Sequence, residues 1–292
     1  MIRATTCACH RLGRPSSSSL SLQWSAEKGS SRSMGHQHLG TLPQSKKWQR
    51  VVGLISGGAD VRDVASAVSA AAERAMIDAA NDPAVRSAFY LLTQVLLAAR
   101  KEHFVPELRM LGLRVSSQPS LVEIVSAFTE AVDREVRANG GRTDFSEMVQ
   151  LAATESLNAV AGRELPRLFG TTTNDVKTAL ADLATVKQFG LLSCDFFSRL
   201  TRRHLDYYLS RELPKHVGIN SRFQTVREHK QFDEAVETHC RETARIVKEF
   251  SGEWFSKHTY EGGITQAKAG GFVHVAFEKI RKEMRIRRNA DG

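Results

Sequence analysis

Six cations crowd one short stretch near the end of the chain: Lys279, Arg281, Lys282, Arg285, Arg287 and Arg288, with Glu283 the only acid among them. Such a run neutralises phosphates and gains free energy from the counterions it releases. It equally suits a solvated helix end, where cations meet the negative pole of the helix dipole. A second cluster, Arg199, Arg202, Arg203, His204 and Arg211, carries Tyr207 and Tyr208 beside it. Cations that follow a backbone and aromatics that stack on bases together suit single-stranded nucleic acid. Tyr208 falls in the apolar stripe of its helix and is expected in the core, whereas Tyr207 lies off that stripe. Acting on phosphates, the six C-terminal residues, supported by Arg199, Arg202 and Arg203, would fix position without reading base sequence.

The sharpest local motif is Val51-Val52-Gly53-Leu54-Ile55-Ser56-Gly57-Gly58-Ala59-Asp60. Backbone amides at a helix start favour anions. The segment resembles the signature loop of the PP-loop ATP pyrophosphatase family, an apolar strand followed by Ser-Gly-Gly-x-Asp-Ser, with Val61 in the last place here. That resemblance implies an α/β fold with parallel strands and a nucleotide-binding enzyme. Ser56, Gly57, Gly58 and Asp60 would then be its phosphate-side residues. The same residues also read as a plain loop with two glycines, closed by Asp60 as a helix N-cap.

Other reactive side chains form no constellation. The ten histidines include no His-Glu-x-x-His; His229 lies four residues before Asp233, and His204 four before Tyr208. His239 sits on an apolar seam beside Cys240 and reads as a satisfied core residue. Cys194-Asp195 has no base at a spacing that would activate a thiol. Cys7-Ala8-Cys9-His10 lacks a second half-site at zinc-finger spacing. No metal and no cofactor is expected, and the balance leans against an enzyme. The four cysteines make no disulfide framework, which points to a reducing, cytoplasmic setting.

These residues need elements to hold them. The chain has 292 residues, 41% of them hydrophobic but only 7% aromatic, so its core must rest on Ala, Val, Leu and Ile. The longest apolar stretch, near Ala88–Ala99, is interrupted by Thr93 and Gln94 and is too short to cross a membrane. Residues 1–45, with the run Pro15-Ser16-Ser17-Ser18-Ser19, read as a disordered basic tail. This tail fits a flexible arm, a transit peptide or an early start codon, with Met34 as the alternative first residue and the favoured reading. Of the net charge of +9, four units lie in residues 1–33, which hold five basic groups and one acid.

From Lys46 to Arg288 the periodicity is helical, and the expected fold class is all-α, a multi-helix globular bundle of eight or nine helices. Asp60 caps a helix running through Val61, Val64, Val68, Ala72, Met76 and Ala79. Asp82-Pro83 opens a second that is apolar nearly all round and belongs mid-core. Ser120-Leu121-Val122-Glu123 reads as a capping box, and Asn139-Gly140-Gly141 as the stop of the helix it opens. Further helices are expected from Asp144 to before Pro166, from near Asn174 to Gly190, and from Ser193 or Asp195 to before Pro214. Over residues 223–258, Phe232, Val236, His239, Thr243, Ile246 and Phe250 alternate spacings of four and three, a short coiled-coil-like seam. Gly262-Gly263 and Gly270-Gly271 bracket an expected loop, with a last helix after it. A boundary at Pro166–Asn174 divides an Ala-rich region, 46–170, from a region 171–292 with the long amphipathic helix and the basic end.

The expected function is that of a non-enzymatic binding or accessory protein contacting nucleic acid, or a complex that handles it, through the basic C-terminal surface. One alternative is a protein–protein adaptor, pairing through the seam with a partner or with itself. The other is a nucleotide-binding enzyme using Ser56–Asp60.

Overall fold

Helix starts in this chain are written by short polar side chains. Ser45, Asp60, Asp82, Thr143, Thr172, Thr185 and Thr225 each accept a hydrogen bond from an amide of the first turn that follows. Such caps satisfy amides that have no partner within the helix. The structure, a computed structural model, describes residues 42–43, 45–73, 77, 81–138, 141–165 and 171–289. The expected disordered tail, apart from Leu42, Pro43 and Ser45, lies outside the described residues.

Ten α-helices follow in order among the described residues: α1 Lys46–Ser56, α2 Val61–Ala71, α3 Pro83–Ala99, α4 Phe104–Met110, α5 Leu121–Ala138, α6 Asp144–Arg163, α7 Thr173–Asp182, α8 Val186–Leu209, α9 Val226–Tyr260 and α10 Gln266–Asn289. A single 3-10 turn, Leu213–His216, lies between α8 and α9. No strand occurs among the described residues beyond one isolated bridge between Val217 and Phe223. The fold is the all-α bundle that the periodicity predicts. None of the described helices is long and apolar enough to cross a membrane.

Helix α3 runs through the middle, with α5, α6, α7 and α10 around it. Phe89, fully buried on α3, meets Phe189, Phe196 and Phe197 of α8, Trp254 of α9 and Phe272 of α10. Each ring buried this way contributes roughly 1.5–3 kcal/mol. Few aromatics thus suffice, because they are gathered in one place while Ala, Val and Leu fill the rest of a single continuous core.

Helices α8 and α9 form the tightest antiparallel pair. Gly190 of α8 lies against the backbone of Lys248, and Gly252 of α9 against that of Val186. A methyl at Gly252 would sit 2.1 Å from the Val186 carbonyl oxygen, so the missing side chain sets the helix separation. Gly190 is therefore a crossing point and not the expected helix stop. The expected helix 174–190 is instead two: Leu180, Leu183 and Val186 continue one apolar period across a break that Thr185 caps, with its Oγ1 accepting from the Gln188 amide at 3.4 Å. Ser193 and Asp195 lie inside α8 and open nothing.

Two other expectations change. Gly270 and Gly271 belong to α10, which starts at Gln266. Gly270 lets the Arg86 side chain of α3 approach to 2.5 Å from where a Cβ would stand. The apolar segment Val51–Ile55, a strand in the resemblance to the pyrophosphatase loop, is part of α1: Trp48, Val51 and Ile55 recur at helical spacing and are all buried. Helix α4 had no signal of its own, since Pro106 sits in its first turn and no side chain caps it. Met76 and Ala79, expected at the end of the helix that Asp60 caps, lie outside the described residues, as do Asn139 and Gly140.

Candidate polyanion-binding surface

Helix α10 divides the six C-terminal cations between two roles. Its inner face, Ala276, Phe277, Ile280 and Met284, is buried against the core. Arg281 flanks that face and reaches Glu73, beyond the end of α2, at 3.2 Å. Arg287 bonds Glu242 of α9 at 3.0 Å and Glu283 of its own helix at 2.8 Å. These two arginines tie α10 to its neighbours. Lys279, Lys282 and Arg285 lie three apart on the outer face, and all are exposed. Lys279 stands over the ring of Phe250 at 5.3 Å. Lys282 and Arg285 form no ion pair with any described carboxylate. The side chain of Arg288 lies outside the described residues.

Arg199, Arg202 and Arg203 of the second predicted cluster are paired with carboxylates at the half-exposed junction of three helices. Arg199 bonds Asp195 at 2.6 Å and Glu155 of α6 at 3.1 Å, and Arg203 pairs with the same Glu155. Arg202 pairs with Asp206 and approaches Asp233 of α9 to 3.8 Å. All three thus join α6, α8 and α9 through ion pairs, while Lys282 and Arg285 have no such partner among the described residues. Tyr208 is half-buried and packs on Trp48 at 4.5 Å at the edge of the core. Tyr207, off the stripe, is covered by the Arg211 guanidinium at 3.9 Å.

The glycine motif is a corner between two helices. The amides of Gly57, Gly58 and Ala59 donate to the carbonyls of Gly53, Ile55 and Leu54, closing α1. Gly58 takes the left-handed φ of +72° that such a corner requires. Asp60 accepts from the Arg62 amide at 3.2 Å and caps α2. The amides of Gly57, Gly58, Ala59 and Arg62 are thus engaged within the chain, and Ser56 donates its hydroxyl to Val52 O at 2.9 Å. On the loop's other side, Arg222 donates to the carbonyls of Leu54, Ile55 and Ala59. Ser56, Gly57, Gly58 and Asp60 therefore do in this fold what a helix–corner–helix needs.

The seam of α9 faces inward. Phe232, Val236, His239 and Thr243 are buried and Ile246 and Phe250 half-buried, with α8, α10 and α2 packed on this helix. Pairing through the seam would need those neighbours to leave.

The remaining reactive groups are quiet. Burial pushes the Cys240 thiol up to about 12 and raises that of Cys194, where Asp195 adds to the effect, so neither is an activated nucleophile. Burial holds His204 down to about 4 and lowers His239, with the Arg287 charge adding to the latter. Among the described residues no three His, Cys, Asp or Glu side chains gather as a metal site requires. Cys7, Cys9 and His10 lie outside the described residues.

One feature of this surface had no sequence signal. Beside the outer face of α10, Arg281, Met284 and Arg285 face Ser66, Ser69, Ala70 and Glu73 across a notch of about 60 Å³. Its walls come from segments some 200 residues apart, each an ordinary amphipathic helix when read alone. No family model, curated protein or solved structure matches the chain.

Proposed function

We propose that this chain is a non-enzymatic helical binding protein that engages a polyanion, nucleic acid foremost, through the outer face of α10. The observation that carries this reading is the row Lys279, Lys282 and Arg285: three exposed cations at helical spacing, none of them paired with a described carboxylate. Unpaired surface cations can neutralise phosphates and release the counterions condensed on the nucleic acid, and that release drives association. Lys279 beside the half-buried Phe250 adds an aromatic at the edge of the row, an arrangement suited to single strands.

Fluorescence anisotropy of the full chain with labelled single-stranded DNA, duplex DNA and RNA at two salt concentrations tests it. Because other cations of the chain also contribute, the quantity to read is the difference between wild type and the variant K279Q/K282Q/R285Q. Loss of three phosphate contacts lowers the slope of log affinity against log salt by about two on a single strand. An unchanged slope, or no binding by the wild type at low salt, refutes the reading.

A further inference from the structure

The geometry points to the α2–α10 notch as a seat for one phosphate group, held by Arg285 and Ser66 with Arg281 behind them; the inference rests on the polyanion reading and locates its anchor. The notch is built from two facing rows. On α2 and the residues after it, Ser66, Ser69 and Glu73 recur at spacings of three and four; on α10, Arg281 and Arg285 are four apart with Met284 between them. Met284 is fully buried and gives the notch an apolar floor. Two guanidiniums on one wall and the Ser66 hydroxyl on the other make a donor set for a tetrahedral oxyanion, which arginine forks match in geometry.

Glu73, the one acid among the described residues that line the notch, does not reverse the sign. Glu73 is held by Arg281 at 3.2 Å and by Lys47 at 3.9 Å. With Arg285 added, three cations surround one carboxylate, and the surplus is positive. Arg285 is exposed and has no described carboxylate partner, so it is free to close on a ligand. Ser66 is only 2% exposed, yet its hydroxyl makes no hydrogen bond to a described residue and borders the notch. A hydroxyl so placed can donate to an anion that enters the notch.

A phosphate group reaches this seat either as a free anion or as a unit of a nucleic-acid backbone. The test separates the two. Inorganic phosphate and tripolyphosphate are titrated against the full chain, following thermal stability and the displacement of a labelled single-stranded RNA. Wild type, R285Q, S66A and K282Q are compared. Ser66→Ala removes an unpartnered hydroxyl and leaves the fold intact, which circular dichroism verifies. The expected result is binding of RNA and of tripolyphosphate weakened about tenfold by R285Q and several-fold by S66A. K282Q, outside the notch, weakens RNA and leaves tripolyphosphate unchanged. If S66A and R285Q weaken RNA no more than K282Q and the free anions do not bind, the seat is refuted while the polyanion surface stands. If the free anions bind with this variant pattern but RNA does not, the seat stands for free phosphate and the nucleic-acid reading falls. If the wild type binds none of them, both fall.

Discussion

Arg222 donates from Nη1 to the carbonyl oxygen of Ile55 at 3.0 Å, joining residues 167 positions apart. The same guanidinium serves Leu54 and Ala59. It lies 5.1 Å from the Phe223 ring and 4.6 Å from that of Phe232. The last carbonyls of a helix have no partner within it and carry the negative pole of its dipole. One cation placed there ends α1, fixes the corner to α2 and anchors the segment entering α9. A motif that reads like a phosphate loop is thus answered by a cation on its carbonyl side.

Replacing Arg222 by Ala removes three charge-assisted hydrogen bonds and two ring contacts. Each such hydrogen bond contributes about 1.5–3 kcal/mol at most, and partial exposure lets water replace some of them. We expect a loss of about 2–4 kcal/mol, read by urea unfolding. Arg222→Lys, with a point charge and no fork, should recover only part of it. Unchanged stability in the Ala variant would show that water serves these carbonyls equally well.

Glycines separate into two kinds that the sequence does not distinguish. Gly252→Ala places a methyl 2.1 Å from Val186 O and 2.8 Å from Val186 Cγ1, forcing α8 and α9 apart. Overpacking of this kind costs about 3 kcal/mol. Gly271→Ala meets nothing within 4 Å in the interior of α10. There the gain in helix propensity stabilises by up to about 1 kcal/mol. Thermal unfolding of the pair should therefore move in opposite directions, and a shift of equal sign would contradict the crossing geometry.

The all-α class, the central burial of α3 and the caps at Asp60 and Asp82 are legible because each is local: a period, a short polar residue, a proline in the first turn. Thr185 escaped because Leu180, Leu183 and Val186 keep one period across the break between α7 and α8, and Gly190 offered a false stop just beyond. The candidate surface is legible only as a list of cations. Which of them remain free depends on acids far along the chain: Glu155 lies 48 residues before Arg203, and Glu242 lies 45 before Arg287. Charge counted along the sequence cannot see pairing across helices.

His204 sits edge-on to Phe145 at 6.0 Å and to Tyr208 at 5.4 Å, is 4% exposed, and its Nε2 has no hydrogen-bond partner. Burial lowers it from 6.5 to about 4. The unfolded chain therefore takes the proton first, and stability that is full above 6.5 declines as pH falls from 6.5 towards 4. The most this can amount to is about 3 kcal/mol. Asp206 works in the opposite sense. Burial chiefly, with Asp233 adding and Arg202 opposing, raises it from 3.8 to about 6, so its penalty is full above 6 and relieved on acidification. Its side chain is 41% exposed, and solvent screening keeps this the smaller effect. Urea unfolding at about pH 7 and about pH 4.5 should show His204→Leu losing less stability than wild type across that window. Equal losses would assign the acid sensitivity to another group.

Arg203→Gln separates the two basic clusters by function. Arg203 and Arg199 share Glu155, and Glu155 keeps Arg199 when Arg203 is removed. The pair is partly exposed, so the stability cost stays under about 1 kcal/mol. If Arg203 serves only to join α6 to α8, oligonucleotide affinity and its salt slope are unchanged in R203Q. In R285Q, by contrast, the slope on a single strand falls by about 0.7. An equal fall in both variants would mean that Glu155 releases Arg203 to the ligand. The binding surface would then extend across α8, with the ion pairs of the free protein acting as its resting state.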